Sequence, residues 1–192
     1  MATVVVLNGT SSSGKTSIAR AFQEAAPSLY LNFSIDSILY ALPLSALDRI
    51  TAGADLSDLN TPELVRAYYA CVRQLLDLGH PLIIDNAITT RYQAEQLVAA
   101  VASHHVVMVG LDCPPEILTE RERIRGDRRK GMAAAQQPRI HSWLSYDLTI
   151  DTSQISAQDA AREILHAIET GTSEAFERTR VALMHRESRP SP

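Results

Sequence analysis

The chain has 192 residues, which is enough for one well-buried α/β domain with a small lid or tail. Hydrophobic residues make up 45% and charged residues 21%, ordinary values for a globular protein, and the net charge of −4 argues against nonspecific nucleic-acid binding. No stretch approaches the roughly 20 apolar residues of a membrane-spanning helix, and no signal peptide is recognisable. We therefore expect a cytoplasmic protein whose partner is neither a nucleic acid nor a membrane.

Short apolar segments alternate with helix-length amphipathic segments along the chain. The apolar segments predict strands at Val4–Asn8, Tyr30–Phe33, Leu82–Asp85, Val106–Leu111 and Leu148–Asp151. The amphipathic segments predict helices at about Lys15–Ala26, Ile35–Ala41, Pro62–Leu78, Arg91–Ser103, Pro115–Arg125 and Ala157–Ile168. This alternation is typical of a parallel sheet covered on both faces, so the predicted fold class is a doubly wound α/β domain with five parallel strands.

Three stretches do not follow the alternation. We predict a loop or short helices over 43–60, and a mobile arginine-rich lid over about 126–145. From Gly171 onward we expect a helix near 174–185 and then a flexible tail, so the predicted kinase domain is 1–170 and the C-terminal extension is 171–192. Thr61 and Ser156 are the predicted N-terminal caps of the helices that follow them.

A complete G-x-x-x-x-G-K-[ST] motif follows the first predicted strand and precedes the first predicted helix. Its residues, with the serine that follows, are Gly9, Thr10, Ser11, Ser12, Ser13, Gly14, Lys15, Thr16 and Ser17. Strand, glycine-rich loop and helix in this order form a phosphate-binding loop, whose backbone N–H groups and helix N-terminus attract phosphate oxygens. The motif predicts that the chain binds a nucleoside triphosphate, with Lys15 on the β- and γ-phosphates and Thr16 on Mg²⁺.

Proteins with this loop fall into three broad classes, and the rest of the sequence favours one of them. GTPase switches carry Asp-x-x-Gly and Asn-Lys-x-Asp motifs, and neither occurs here. Mechanical ATPases need longer chains and a strand that ends in Asp-Glu, whereas the third predicted strand ends in Asp85-Asn86. A small kinase that uses ATP and Mg²⁺ therefore fits best.

Asp36 follows the second predicted strand, at the edge of the sheet where ligands bind in doubly wound folds. Its carboxylate there could accept the proton of an attacking hydroxyl, bind Mg²⁺ indirectly, or cap a helix. Asp85 ends the third strand, where it could hold Mg²⁺ through water or bind substrate. The hydroxyl acceptor is expected in the cleft between these two strands, with Ser37 and Asn86 among its contacts.

The predicted lid begins with a cluster of arginines. Arg121, Arg125 and Arg128 share one helical face by the i, i+4, i+7 rule, and Arg123 points elsewhere. Such a run is often only a solvated helix face, but a closing guanidinium also stabilises the charge that spreads over a transferring phosphoryl group. We expect Arg121 to contact the nucleotide and Arg125 or Arg128 to act in catalysis. His141 stays open between a packing role and a substrate contact.

Several segments, taken in order, resemble the chloramphenicol phosphotransferase family of small phosphate-loop kinases. They are Leu7-Asn8-Gly9 with Ser12-Ser13-Gly14-Lys15, Asp36-Ser37, Ile83-Ile84-Asp85, Arg125-Gly126-Asp127-Arg128 with Gly131-Met132-Ala133-Ala134, His141, and Tyr146-Asp147 before Asp151-Thr152. The resemblance implies ATP-dependent phosphorylation of a small-molecule hydroxyl, with Asp36 as the base, Lys15 and Thr16 on the phosphates and Mg²⁺, and Arg125 and Arg128 as lid arginines.

The acceptor that the resemblance implies is an antibiotic such as chloramphenicol. A kinase of nucleotides, nucleosides or sugars differs only in its acceptor, and an NTPase module without an acceptor is the alternative of a different class. Nothing in the order of residues decides the oligomeric state, so a homo-oligomer stays open.

Overall fold

A computed structural model describes residues 3–54, 59–125, 131–171 and 173–186 of the chain. Within these residues, five strands form one parallel sheet: β1 (Thr3–Gly9), β2 (Leu31–Phe33), β3 (Leu82–Asn86), β4 (His105–Asp112) and β5 (Leu148–Asp151). Their order across the sheet is β2-β3-β1-β4-β5, and every neighbouring pair runs parallel. The predicted fold class is confirmed.

The helices of the described residues cover both faces of the sheet. They are α1 (Lys15–Ala25), α2 (Asp36–Leu39), α3 (Leu44–Ala52), α4 (Thr61–Asp77), α5 (Arg91–Val101), α6 (Pro115–Arg125), α7 (Met132–Gln136), α8 (Ala157–Thr170) and α9 (Ala175–Arg186). Helices α1 and α8 pack together on one face, and α4, α5 and α9 cover the other. Two layers of helices therefore enclose one sheet, as the alternation of segments predicts.

The side chains of β1 show why the sheet needs cover on both faces. Val4 and Val6 belong to the core beneath α4 and α5, and Val5 and Leu7 belong to the core beneath α1 and α8. Successive side chains of a strand point to opposite faces, and all four are almost completely buried. Consecutive apolar residues such as Val4 to Leu7 therefore indicate a central strand of a parallel sheet.

The helix boundaries differ from the predictions in a few places, for local reasons. Asn60, not Thr61, caps α4, because its side-chain oxygen accepts from the Glu63 N–H; the predicted Thr61 cap is wrong by one position. Ser156 caps α8 as predicted. The stretch predicted as a loop or short helices contains α3, and the predicted lid, as far as it lies in the described residues, contains the short helix α7.

The C-terminal helix α9 packs against α5 and β4. Ala175 and Leu183 are buried in the core on that face, and the buried Thr179 hydroxyl accepts from the Ser145 N–H at 2.9 Å. Asp147 receives the Ala175 N–H, at 2.8 Å, and the Met108 N–H of β4, at 2.9 Å. This helix therefore holds the segment before β5 in place. The flexible tail predicted after this helix lies beyond residue 186, where the described residues end.

No helix of the described ranges is both long enough and apolar enough to cross a membrane.

Gly110, in β4, gives a direct test of the packing above the sheet. A Cβ atom at this position would lie 2.8 Å from Cδ2 of Tyr146, closer than real Cβ atoms approach carbon. We expect Gly110→Ala to lower the free energy of unfolding by about 1–3 kcal/mol, because the ring must move out of its site. Urea unfolding measures this change.

The variant Tyr146→Ala supplies the matched background for this substitution. With the ring removed, adding a methyl group at position 110 should destabilise the protein by less than about 1 kcal/mol. An equal loss in both backgrounds would show that the cause lies elsewhere than in the Tyr146 ring.

Candidate functional site

The phosphate-binding loop connects the end of β1 to the start of α1. Gly9 allows the loop to lie close to β4. A Cβ atom on residue 9 would lie 2.5 Å from Ser13 Oγ and 2.9 Å from the Leu111 carbonyl oxygen. Gly14 precedes the first helical residue with a φ of 90°, a backbone conformation that suits glycine. Both glycines of the motif are therefore required by the shape of the loop.

The polar groups of the loop fit a phosphate group. The hydroxyl oxygens of Ser12 and Ser13 are buried and have no hydrogen-bond partner among the described residues. The Lys15 ammonium donates to the carbonyl oxygens of Gly9, at 2.9 Å, and Thr10, at 2.8 Å, so it lies against the loop. Together with the N-terminus of α1, these donors form an anion-binding site of the kind that holds nucleotide phosphates.

A cavity of about 400 Å³ lies against the first turn of α1. Its lining comes from the loop and α1, from two arginines of α6, and from the turn between β5 and α8 with the start of α8. The lining residues are Ser12, Gly14, Lys15, Thr16, Ser17, Ile18, Arg121, Arg125, Thr152, Ile155 and Ala157. Most of the predicted nucleotide residues and two of the predicted arginines therefore come together. Ile18, Ile155 and Ala157 contribute apolar side chains to the wall of this cavity.

Arg121 is held in position over the loop by the turn after β5. Its guanidinium donates to the Thr152 carbonyl oxygen at 2.9 Å and to Thr152 Oγ1 at 3.1 Å. Its Nη1 atom lies 3.9 Å from where a Cβ of Gly14 would stand. A fixed cation at this point complements the charge of a bound polyphosphate.

The other three arginines discussed in the sequence analysis are Arg123, Arg125 and Arg128. Arg125 lines the same cavity as Arg121. Arg123 is exposed and pairs with Glu120, which raises the pKa of Arg123, as expected for a residue on the solvated face. Arg128, the second predicted catalytic arginine, lies outside the described residues.

Thr16 and Asp85, two of the three residues predicted to bind Mg²⁺, lie within hydrogen-bond distance of each other, whereas no hydrogen bond of the described residues joins either of them to the third, Asp36. The Thr16 hydroxyl donates to Asp85 Oδ2 at 2.8 Å, and the Asp85 residue is 7% exposed at the end of β3. A hydroxyl and a carboxylate suit Mg²⁺, which takes oxygen ligands and usually completes its shell with water and substrate phosphates. No cluster of three or more His, Cys, Asp or Glu side chains in the described residues could hold a metal by itself. The donor set therefore fits a metal that arrives with a nucleotide.

Asp36 and Ser37 stand at the start of α2, beyond the carboxyl end of β2. They do not line the 400 Å³ cavity, and neither does Asn86. The Asn86 side chain, 5% exposed at the residue level, accepts from the Ile35 N–H at 2.9 Å and donates to Tyr69 Oη at 3.5 Å. Asn86 thus fixes the backbone next to Asp36, while its neighbour Asp85 binds Thr16. The substrate contacts predicted for Ser37 and Asn86 stay predictions.

A second group of polar residues connects β1 with the segment before β5. Asn8 is completely buried; its Nδ2 donates to the Ile140 carbonyl oxygen and to Tyr146 Oη, both at 2.6 Å, and its Oδ1 accepts from the Ile88 N–H at 2.8 Å. All the polar atoms of this amide have partners, as a buried amide requires. Asn8 therefore joins the loop after β3 to the loop after α7.

The network continues from Tyr146 to the surface. Tyr146 Oη lies 2.8 Å from His141 Nδ1, and His141 Nε2 lies 2.9 Å from Asp112 Oδ1. Burial, opposed by the hydrogen bond from Asn8 and assisted by the Asp112 charge, raises the pKa of Tyr146 to about 12. Since Asn8 already donates to Tyr146, the tyrosine hydroxyl can donate to Nδ1 while Nε2–H donates to Asp112. His141, left open in the sequence, is therefore a bonded member of this network.

Comparison with known proteins identifies the group to which this arrangement belongs. A sequence model of the chloramphenicol phosphotransferase-like proteins matches residues 2–169. The chain belongs to the chloramphenicol phosphotransferase-like family. The resemblance seen in the sequence motifs is therefore confirmed. Two relatives from strains of Mycobacterium tuberculosis, whose names describe them as candidate O-phosphotransferases, are each 30% identical over 179 residues, covering 84% of this chain and 80% of theirs.

Solved structures show the same fold in other kinases. A sugar kinase from Janibacter superposes with a TM-score of 0.67 at 20% identity, covering 88% of this chain and 95% of that one. The APS kinase of Mycobacterium tuberculosis, in complex with AMPPNP and APS, has a TM-score of 0.63 at 18% identity, covering 88% and 98%. As a member of this family with a kinase fold, the chain is a small-molecule O-phosphotransferase.

Two side chains of the site were not predicted to belong to it. Asn8 is a polar residue near the end of a largely apolar strand. Its position just before the phosphate-binding loop is the sequence feature that could have indicated a role in the site. The side-chain oxygen of Gln136 accepts a hydrogen bond from the Ser11 N–H at 2.6 Å. No motif marks Gln136, because its partner lies 125 positions away in the chain.

The raised pKa of Tyr146 makes a prediction for alkaline solution. A folded pKa of about 12, against an ordinary value of 10, stabilises the protein below pH 10, and this contribution is lost as the pH rises from 10 to 12. Tyr146→Phe should destabilise the protein by about 1–2 kcal/mol at pH 8, where the hydroxyl bonds are lost. At pH 11 the difference from wild type should shrink by about 1 kcal/mol.

Urea unfolding of both proteins at the two pH values measures this difference. Other buried tyrosines with raised pKa values, Tyr68 and Tyr69, lower the stability of both proteins alike and so cancel in the comparison. A gap that stays constant from pH 8 to pH 11 would mean that Tyr146 titrates normally in the folded state.

Proposed function

We propose that this family member transfers the γ-phosphoryl group of ATP to a hydroxyl of an antibiotic such as chloramphenicol, with Asp36 as the general base. The observation that supports ATP use is the convergence of Lys15, Arg121 and Arg125 on the cavity at the N-terminus of α1. Three cations and a helix dipole at one cavity suit a triphosphate, whose charge they neutralise. The family match supports a hydroxyl as the acceptor.

The protein binds and orients the nucleotide with the residues described above. Loop N–H groups, Lys15 and the start of α1 take the phosphates, and Arg121, held by Thr152, faces them. Thr16 and Asp85 are the residues that would hold Mg²⁺. When bound, the ion would neutralise charge on the phosphate oxygens. Arg125 reaches the same cavity, where a guanidinium stabilises the charge of the transferring group.

The position of Asp36 supports its role as the base. The strands β2 and β3 are in register, with Phe33 opposite Ile84, so Asp36 follows the same edge of the sheet as Asp85. The Asn86 bond to Ile35 and the Tyr68 bond to the Phe33 carbonyl oxygen, at 2.8 Å, hold the backbone on both sides of Ser34. A carboxylate on a fixed backbone can accept the hydroxyl proton as the oxygen attacks phosphorus in line with the leaving ADP.

We expect Asp36→Asn to lower kcat for transfer by about 100- to 10,000-fold, with ATP affinity within about threefold of wild type, because a base acts on the acceptor. Mass spectrometry of chloramphenicol and other hydroxylated compounds after incubation with ATP and Mg²⁺ measures the product, and calorimetry measures ATP binding. Asp77→Asn is the matched control, since Asp77 is exposed where α4 ends, before β3 begins.

The outcomes separate the alternatives. A large loss of ATP affinity in Asp36→Asn would contradict the base and point to a metal-binding role. Phosphorylation of a nucleoside or sugar alone would keep the kinase and replace the antibiotic. ADP release that no acceptor stimulates would indicate an NTPase module.

A further inference from the structure

Helix α7 is attached at both ends by side-chain to backbone hydrogen bonds. At its start, the Glu122 carboxylate of α6 accepts from the Gly131 N–H at 2.6 Å and the Ala133 N–H at 3.1 Å. Glu122 is 6% exposed, and a buried carboxylate is well placed at a helix N-terminus. At the other end, Gln136 Oε1 accepts from the Ser11 N–H of the phosphate-binding loop. This helix therefore spans from the arginine-bearing helix to the loop.

The bond to Ser11 uses a donor of the phosphate-binding loop. Since a backbone N–H can only donate, the Gln136 atom that lies 2.6 Å away is its carbonyl oxygen. The two carbonyl oxygens that precede this N–H, those of Gly9 and Thr10, receive the Lys15 ammonium. The Gln136 carbonyl oxygen and the Lys15 ammonium therefore form hydrogen bonds with backbone atoms of the phosphate-binding loop.

We propose that Gln136 is a positioning residue whose amide oxygen holds the Ser11 N–H in the nucleotide-free protein and yields it to a phosphate oxygen of the nucleotide. The inference rests on the proposed use of ATP. The Ser11 N–H is partly buried and is stabilised by an acceptor in both states, and an ionised phosphate oxygen is a stronger acceptor than a neutral amide oxygen. The direction of the exchange follows from that difference.

The exchange connects the nucleotide to the acceptor side of the protein. Helix α7 leads directly into the segment with Ile140, His141 and Tyr146, which Asn8 ties to the loop after β3. Release of Gln136 leaves α7 attached through Glu122 and frees the end of the helix next to this segment. Nucleotide binding therefore alters the constraint on the segment that carries the Asn8 network.

The test compares two substitutions of opposite expected sign with a matched control. Gln136→Met keeps the size of the side chain but removes the strong acceptor, so it should lower the Tm of the nucleotide-free protein and tighten AMPPNP binding about three- to fivefold. Gln136→Glu gives Ser11 a charged acceptor that repels phosphate, so it should weaken AMPPNP binding at least about tenfold without lowering that Tm. Gln137→Glu adds the same charge at the exposed neighbouring position and should stay within about twofold.

Calorimetry with AMPPNP and thermal unfolding without nucleotide give both readouts. Weaker binding in Gln136→Met would overturn the exchange, because a purely structural bond would support the loop in both states. Equal affinities of Gln136→Glu and Gln137→Glu would also overturn it, and this comparison decides the matter if Gln136→Met does not fold. If the wild-type protein does not bind AMPPNP, the proposed use of ATP is wrong. The comparisons among the variants test only the role of Gln136, so the two failures can be distinguished.

Discussion

The carboxamide of Asn8 is the interaction on which the geometry around the loop depends. It is completely buried at the end of β1, and it binds the backbone after β3 and the backbone after α7 at the same time. An apolar side chain at this position would leave a buried N–H and a buried carbonyl oxygen without partners, which is expensive in a protein interior. Because β1 lies at the centre of the sheet, this one amide sets the positions of both flanking loops relative to the phosphate-binding loop.

Neutral amides and ionised groups have different tasks in this site. Asn8, Asn86 and Gln136 each accept a backbone N–H of a loop and so fix its course. The cations Lys15, Arg121 and Arg125 line the cavity itself, where a polyanion can compensate them. Fixing loops with neutral groups avoids the large desolvation cost of burying unpaired charges. Two carboxylates also accept backbone N–H groups: the buried Glu122, at the start of α7, and the partly buried Asp147, before β5.

The features that could be predicted from the sequence are those with a local or periodic signal. Continuous apolar runs such as Val4 to Leu7 indicated central strands, and the loop motif is contiguous, so both were placed correctly. The cap of α4 was missed by one position because Asn60 and Thr61 are both good caps and only the backbone geometry distinguishes them. The bonds of Asn8 and Gln136 join residues 80 to 138 positions apart, and no pattern in one sequence reports such pairs.

The packing of α9 has an evolutionary consequence. The family model matches residues 2–169, so α9, which begins at Ala175, lies beyond the matched residues. It nevertheless holds the segment before β5 through Thr179 and through Asp147, and it has no part in lining the cavity at α1. During evolution, substitutions in α9 can therefore shift the segment before β5 while the residues that line the cavity at α1 stay unchanged.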